Sequence, residues 1–256
     1  MSIQNQGGSN YEYVTARVRS RRARLFDEDD YRKLTRMGTG EIARFMEESE
    51  YETEMNALGS RHSGGDLIEY ALNRNLAANF EDLLRWADGR LYDYTARYLR
   101  KFDAWNVKTT LRGIYSDAER GEVEDDFIRA GELGEARLNR LLDAASMEEA
   151  IEALRGTMFH GPLTAALEIY EEHGELVPLE NAVDRGFYGR LLEGLPEEPD
   201  RATELYIEFL RAEIAFRNLR NAFPLAYSGA DIHPADSYIA GPRLSCESDP
   251  RQPART

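Results

Sequence analysis

Two stretches of this chain match each other at a fixed distance, and a chain that repeats itself must bury the same faces twice. Asn106-Val107-Lys108-Thr109-Thr110, running on to Tyr115-Ser116, pairs with Asn218-Leu219-Arg220-Asn221-Ala222, running on to Tyr227-Ser228, 112 residues later. At the same offset Tyr94 pairs with Tyr206 and Phe102 with Ile214. A weaker match joins Glu41-Ile42-Ala43-Arg44-Phe45 to Ala150-Ile151-Glu152-Ala153-Leu154 at a slightly shorter offset. The pattern predicts two units, 11–120 and 121–244, between an N-terminal segment 1–10 without order and an aberrant or disordered tail 245–256. Asparagine is a poor residue for a helix interior, so Asn106 and Asn218 are each expected to bond a neighbouring loop or helix.

The repeated elements are helices. Val14, Val18 and Leu25 form an apolar strip on a first helix, beside Tyr13, Arg17 and Arg21 at i, i+4, i+8. The Asp27–Asp30 run ends that helix or opens the next. Ile42, Phe45 and Met46 mark a short amphipathic helix, and Leu67, Tyr70 and Ala71 open one reaching Trp86. Residues 93–116 form a long helix with Tyr94, Tyr98, Phe102 and Trp105 on one face, read as core. Further helices are expected at 122–142, 147–155, 162–172, 177–193 and 200–228, with Ser146 and Glu149 spaced as a capping box. Pro224 within the last should kink or end it. Alternating strand patterns of useful length are missing, so the fold class is all-α.

The net charge of −15 argues against nucleic acid as a partner, because the surface repels phosphates. Only Lys33, Lys101 and Lys108 are lysine, and all other cations are arginine. Acid excess with little lysine fits a salt-rich cytoplasm, where repulsion is screened over a few Å, and fits equally a coding bias toward arginine. The single cysteine, Cys246, excludes an intramolecular disulfide and fits a reducing compartment. The polar N-terminus lacks the apolar core of a signal peptide, and no run of about 18 apolar residues spans a membrane.

Enzyme signatures fail one by one. Gly38-Thr39-Gly40 precedes a helix and is not a phosphate loop; it reads as a turn. None of His62, His160, His173 or His233 has Glu three residues before it. Asp27-Glu28-Asp29-Asp30 and Glu124-Asp125-Asp126 could offer oxygens to a divalent ion, but successive residues on a helix diverge, and acids suit a helix N-terminus. The aspartate pattern of a metal-dependent prenyl transferase breaks at Lys33 and Arg129. No catalytic residue, cofactor or metal site is expected.

Tyr13-x-x-Ala16-Arg17-Val18-Arg19, continuing Arg21 to Leu25, resembles the opening helix of the C subunits of A-type ATP synthases, the family that includes the d subunit of the vacuolar ATPase. Phe216-Arg217-Asn218-Leu219-Arg220-Asn221, Ser228-Gly229-Ala230-Asp231-Ile232, Pro234-Ala235-Asp236 and Tyr238-Ile239-x-Gly241-x-Arg243-Leu244 resemble it too, as does the first-unit helix around Arg100 to Tyr115. The arginine-rich character is similar to haloarchaeal members. The resemblance covers roughly residues 11–244.

It implies an all-helical, non-catalytic central-stalk component of three pseudo-repeated units arranged as a funnel. The funnel would sit on the membrane proteolipid ring at the cytoplasmic face and receive the rotor shaft, made of the D and F subunits. It would couple proton or sodium flow to ATP synthesis. Three units of this period need about 330 residues, so a chain of 256 is expected to lack the third. The aperiodic residues after Leu244 fit a frameshift, a premature end or a genuine tail. Arg17, Arg19, Arg21, Arg22 and Arg24, the densest basic cluster, are the candidate protein interface; the alternative is that they pair with surface acids. A generic helical-repeat scaffold is the competing reading.

Overall fold

The computed structural model describes residues 9–193, 195–196, 199–228 and 239, with the backbone alone for 221–228. The described residues form twelve helices and no strands. A first group comprises α1 (Tyr11–Arg22), α2 (Glu28–Leu34), α3 (Thr39–Glu47), α4 (Glu52–Leu58) and α5 (Gly64–Trp86). The long α6 (Gly89–Ser116) leads to α7 (Arg120–Asp125), α8 (Glu135–Leu142), α9 (Met147–Ala153), α10 (His160–His173), α11 (Val177–Leu192) and the equally long α12 (Arg201–Ser228).

The Asp27–Asp30 run opens a helix: the Asp27 carboxylate accepts from the N–H groups of Asp29 and Asp30, and Asp30 accepts in return from Asp27 N–H. Ser146 Oγ accepts from Glu149 N–H at 3.3 Å, but Glu149 reaches back to Ala145 N–H at 2.9 Å, one residue before the position a capping box requires. The short helix α4 was not expected from the sequence. It buries Met55 and Leu58 against α3 and α5 in a small core with Ala43, Met46, Leu67 and Ala71. Helix α12 continues past Pro224 to Ser228, so the proline does not end it: one missing donor is a loss a long packed helix withstands.

Most of the buried apolar surface lies in one core. Ala104, Val107 and Leu111 of α6 meet Leu138 and Leu141 of α8, Ile151 of α9, Leu163 of α10, Phe187 and Leu191 of α11, and Leu210 and Ile214 of α12. Helix α6 therefore runs through the middle, covered by the elements that follow it.

The helix expected over 122–142 is two helices separated by residues 126–134, and α6 supplies the reason. Asn106, 1% exposed, donates from Nδ2 to Ile128 O and accepts at Oδ1 from Ile128 N–H, both at 2.9 Å. Asp103 accepts from Glu132 N–H at 2.8 Å and Leu133 N–H at 2.9 Å. The backbone bonds a helix would make internally go instead to two side chains of α6. A Cβ on Gly131 would overlap the Asp103 carboxylate, so only glycine allows this approach.

Candidate functional site

Helix α1 is held to the body by few contacts. Val14 is its one buried residue; Val18 and Leu25, expected on the same apolar strip, are exposed. Asn10 fixes its start, donating to Trp86 O at 2.7 Å and accepting from Asp88 N–H at 3.0 Å. Arg17 lies over the rings of Tyr13 at 5.1 Å and Trp86 at 5.0 Å, and Arg21 over Trp86 at 4.7 Å. Arg21 also binds Asn79 and Asp82 of α5. Arg24 pairs with Glu50 at 2.9 Å. Arg19 and Arg22 are exposed and form no ion pair among the described residues. The five arginines thus divide: three fasten α1 and its C-terminal end, and two face outward.

The two segments that match each other in the sequence touch in the structure. Tyr94 and Tyr206 stack with ring centroids 4.6 Å apart and planes 7° from parallel, and Tyr206 OH donates to Tyr94 O at 3.2 Å. Arg90 with Asp200, Tyr94 with Thr203 and Tyr98 with Phe209 extend the contact in the same direction along both helices. Helices α6 and α12 therefore run parallel. Asn218 repeats the bonds of Asn106: Nδ2 donates to Ile239 O at 3.0 Å, and Oδ1 accepts from Ile239 N–H at 2.9 Å. Expectation and structure agree on both asparagines.

A buried ionic network closes the junction of α6, α11 and α12. Lys108 Nζ lies 2.6 Å from Asp184 Oδ2, which also faces Arg217 at 3.6 Å. Arg217 Nε donates to Tyr188 OH at 3.2 Å, and Tyr188 OH donates to Glu213 at 3.0 Å. Lys101 donates to Tyr98 OH at 2.9 Å. Burial holds Lys101 and Lys108 below the usual lysine value, against the pull of Glu213 and Asp184 respectively. Burial opposes the charge on Arg217 too, but Asp184 and Tyr188 outweigh it and raise its value. Burial, more than any charge, pushes Tyr98 and Tyr188 well up and Tyr206 up to about 12. Two of the three lysines are thus structural charges in this seam, which sequence reasoning did not single out; their rarity was the available signal.

The remaining sequence candidates fall into place locally. Gly38 is the N-cap of α3, with Glu41 accepting from its N–H at 3.0 Å. Asp27, Asp29 and Asp30 are spent on capping and on pairs with Arg32 and Lys33. Glu124 pairs with Arg120 and Arg129, while Asp125 lies 3.7 Å from His62. Among the described residues no three His, Cys, Asp or Glu side chains gather as a metal site. Cys246, His233 and the tail 245–256 lie outside the described residues.

The family model for the ATP synthase (C/AC39) subunit matches residues 14–248. The chain belongs to that family. It is 63% identical over 238 residues to the A-type ATP synthase C subunit of Haloferax volcanii, covering 93% of this chain and 68% of that protein. The C subunit of Haloquadratum walsbyi is 62% identical with the same coverage. That of Methanosarcina mazei is 35% identical over 88% of this chain and 61% of its own length. The span that matches the C/AC39 family includes α1 from Val14 onward, both asparagine clamps and the whole ionic seam. No helix among the described residues is long and apolar enough to cross a membrane.

Proposed function

We propose that this chain is the non-catalytic coupling component of an A-type rotary ATP synthase, peripheral on the cytoplasmic face of the membrane. It carries rotation between the proteolipid ring and the shaft formed by the D and F subunits. The observation that supports this most is the direct locking of one repeat copy onto the other. Parallel α6 and α12 are joined by stacked Tyr94 and Tyr206 and by the Lys108–Asp184–Arg217 chain. A part that transmits torque must not shear between its units, and a dense, polar-pinned interior resists shear. In this reading residues 11–120 and 121–244 are tandem units.

A stripe on α12 supports a pseudo-repeated stack that continues. Leu205, Phe209, Ala212, Phe216 and Leu219 recur at spacings of four and three and are exposed, Phe216 by 74% and Leu219 by 52%. Their counterparts for the last two positions in α6 are Ala104 and Val107, both buried under the helices that follow. A further helical unit seated on α12 as α7–α11 sit on α6 would cover the stripe. Such a stack would form the funnel.

Co-purification in high salt with the D–F shaft and the proteolipid ring tests the function, using this chain beside a version extended by a third unit. The extended version is expected to retain both partners. Failure of both versions to retain either partner would refute the coupling role.

A further inference from the structure

An open cleft of about 540 Å³ lies between the turn that joins α4 to α5 and the helix α7. Leu58, His62, Tyr70 and Arg74 line it on one side, Glu124 and Asp125 on the other. The His62 side chain is 16% exposed, and its ring meets the Tyr70 ring edge-on with centroids 4.8 Å apart. Its Nε2 is shut off from solvent and has no hydrogen-bond partner; what it faces is Asp125 Oδ2, 3.7 Å away. That separation is too long for a hydrogen bond. A buried ring nitrogen without a partner calls for an explanation, and this one has a carboxylate just out of reach.

Among the described residues this is the one ion pair that joins α1–α5 to α7–α11, and it depends on a histidine. Ala77 of α5 shares a small apolar cluster with Ile128 and Ala130, just past α7. Beside that contact the cleft stands open. Charged groups reach it from both sides: Arg61, Asp66, Glu69 and Arg74 from the side of His62, and Glu124, Asp125, Asp126 and Arg129 from α7 and the residues after it. Glu124 is taken up by Arg120 and Arg129, and Asp125 has no partner but His62 among the described residues. Burial, then Asp126, Asp125, Asp66 and Glu69, raise the Tyr70 hydroxyl; burial, then Glu69 and Asp125, raise the Asp126 carboxyl. Arg61 and Arg74 are exposed, so salt screens them, and the acids near the imidazole outnumber them.

We propose that protonation of His62 closes this cleft, drawing α7 onto the α4–α5 turn and stiffening the junction between the two groups of helices. Histidine gains its charge between about pH 8 and about pH 5, a range in which carboxylates ordinarily keep theirs. A protonated Nε2 donates to Asp125, and shortening the gap from 3.7 Å to the about 2.8 Å of a charge-assisted hydrogen bond takes an approach of about 0.9 Å. The tie is present at low pH and lost as pH rises through the histidine range. The raised Asp126 carboxyl, on taking up a proton, loses its repulsion toward Glu69 and acts in the same direction, so the variants must separate the two. The proposal stands on the cleft and does not rest on the coupling role.

Hydrogen exchange of the whole chain in high salt tests it, read by mass spectrometry between about pH 5 and about pH 8 and corrected for the intrinsic pH dependence of amide exchange. Peptides covering 59–63 and α7 should exchange about two- to fivefold more slowly at the acid end, the effect a partly exposed ion pair allows. In His62→Gln and in Asp125→Asn the difference should vanish. Both variants keep Asp126, and both keep Asp103, whose carboxyl is raised to about 6 and holds Glu132 and Leu133. A pH response that survives in either variant therefore belongs to those groups and overturns the proposal. His62→Arg carries a guanidinium that stays charged at every pH used and should give the slow exchange throughout. Wild-type protection that does not change with pH, or a His62→Arg chain that still responds to pH, overturns the proposal as well. Should one variant lose its helical circular dichroism, the other two decide. Co-purification with the shaft and the ring bears on the coupling role alone.

Discussion

Replacing Asn106 by alanine removes both hydrogen bonds that hold Ile128 against α6. Ile128 is itself buried, so its N–H and C=O are left without water. Each stranded group costs about 1–3 kcal/mol, or about 2–6 kcal/mol for the pair. Alanine recovers about 0.6 kcal/mol as the better helix residue. The net loss is about 1.5–5 kcal/mol, a large share of the roughly 5–15 kcal/mol that holds a typical domain together. At about 2–4 °C per kcal/mol for a chain of this size, the melting temperature should fall by about 3–20 °C. Thermal unfolding followed by far-ultraviolet circular dichroism in high salt, with a denaturant titration beside it, measures both. Asn218→Ala makes the internal control: the same two bonds are lost, but Asn218 is only part-buried, so water replaces some of them and the drop should be smaller. A fall of less than about 2 °C for Asn106→Ala, or a larger fall for Asn218→Ala, would refute the reasoning that a buried asparagine clamp holds residues 126–134 against α6.

Three further outcomes are expected. Burial raises the Asp103 carboxyl to about 6 from its ordinary value of 3.8, against the lowering effect of the Leu133 and Glu132 N–H groups. The raised value favours the fold below pH 3.8 and that contribution is lost as pH rises through about 6, amounting to about 3 kcal/mol; the difference in unfolding free energy between wild type and Asp103→Asn, followed across that window, should change by an amount of this order. Gly131→Ala, which forces a methyl into the Asp103 carboxylate, should lower stability by about 1–3 kcal/mol in denaturant unfolding. Arg21→Ala, which cuts the ties of α1 to Asp82, Asn79 and Trp86, should speed hydrogen exchange of the α1 amides about 5- to 30-fold, as a loss of about 1–2 kcal/mol requires, whereas Arg19→Ala should leave it unchanged.

The sequence by itself determined the helical class and the positions of most helices, and it marked two segments that match at a common offset. Each of those is written in local information: the spacing of apolar residues, the caps, and the recurrence of Asn and Tyr at a common offset. Only the tertiary structure decided that Tyr94 and Tyr206 touch, because a period says that two segments are alike and nothing about whether they meet. It decided the break at 126–134, since the partners that draw the chain out of a helix, Asp103 and Asn106, lie more than twenty residues away in sequence. It also split one run of five arginines into fasteners and free charges. Along a helix their spacing is legible, but which of them finds an acid or a ring depends on α5 and on Glu50 packing alongside, and those neighbours are brought there by the fold.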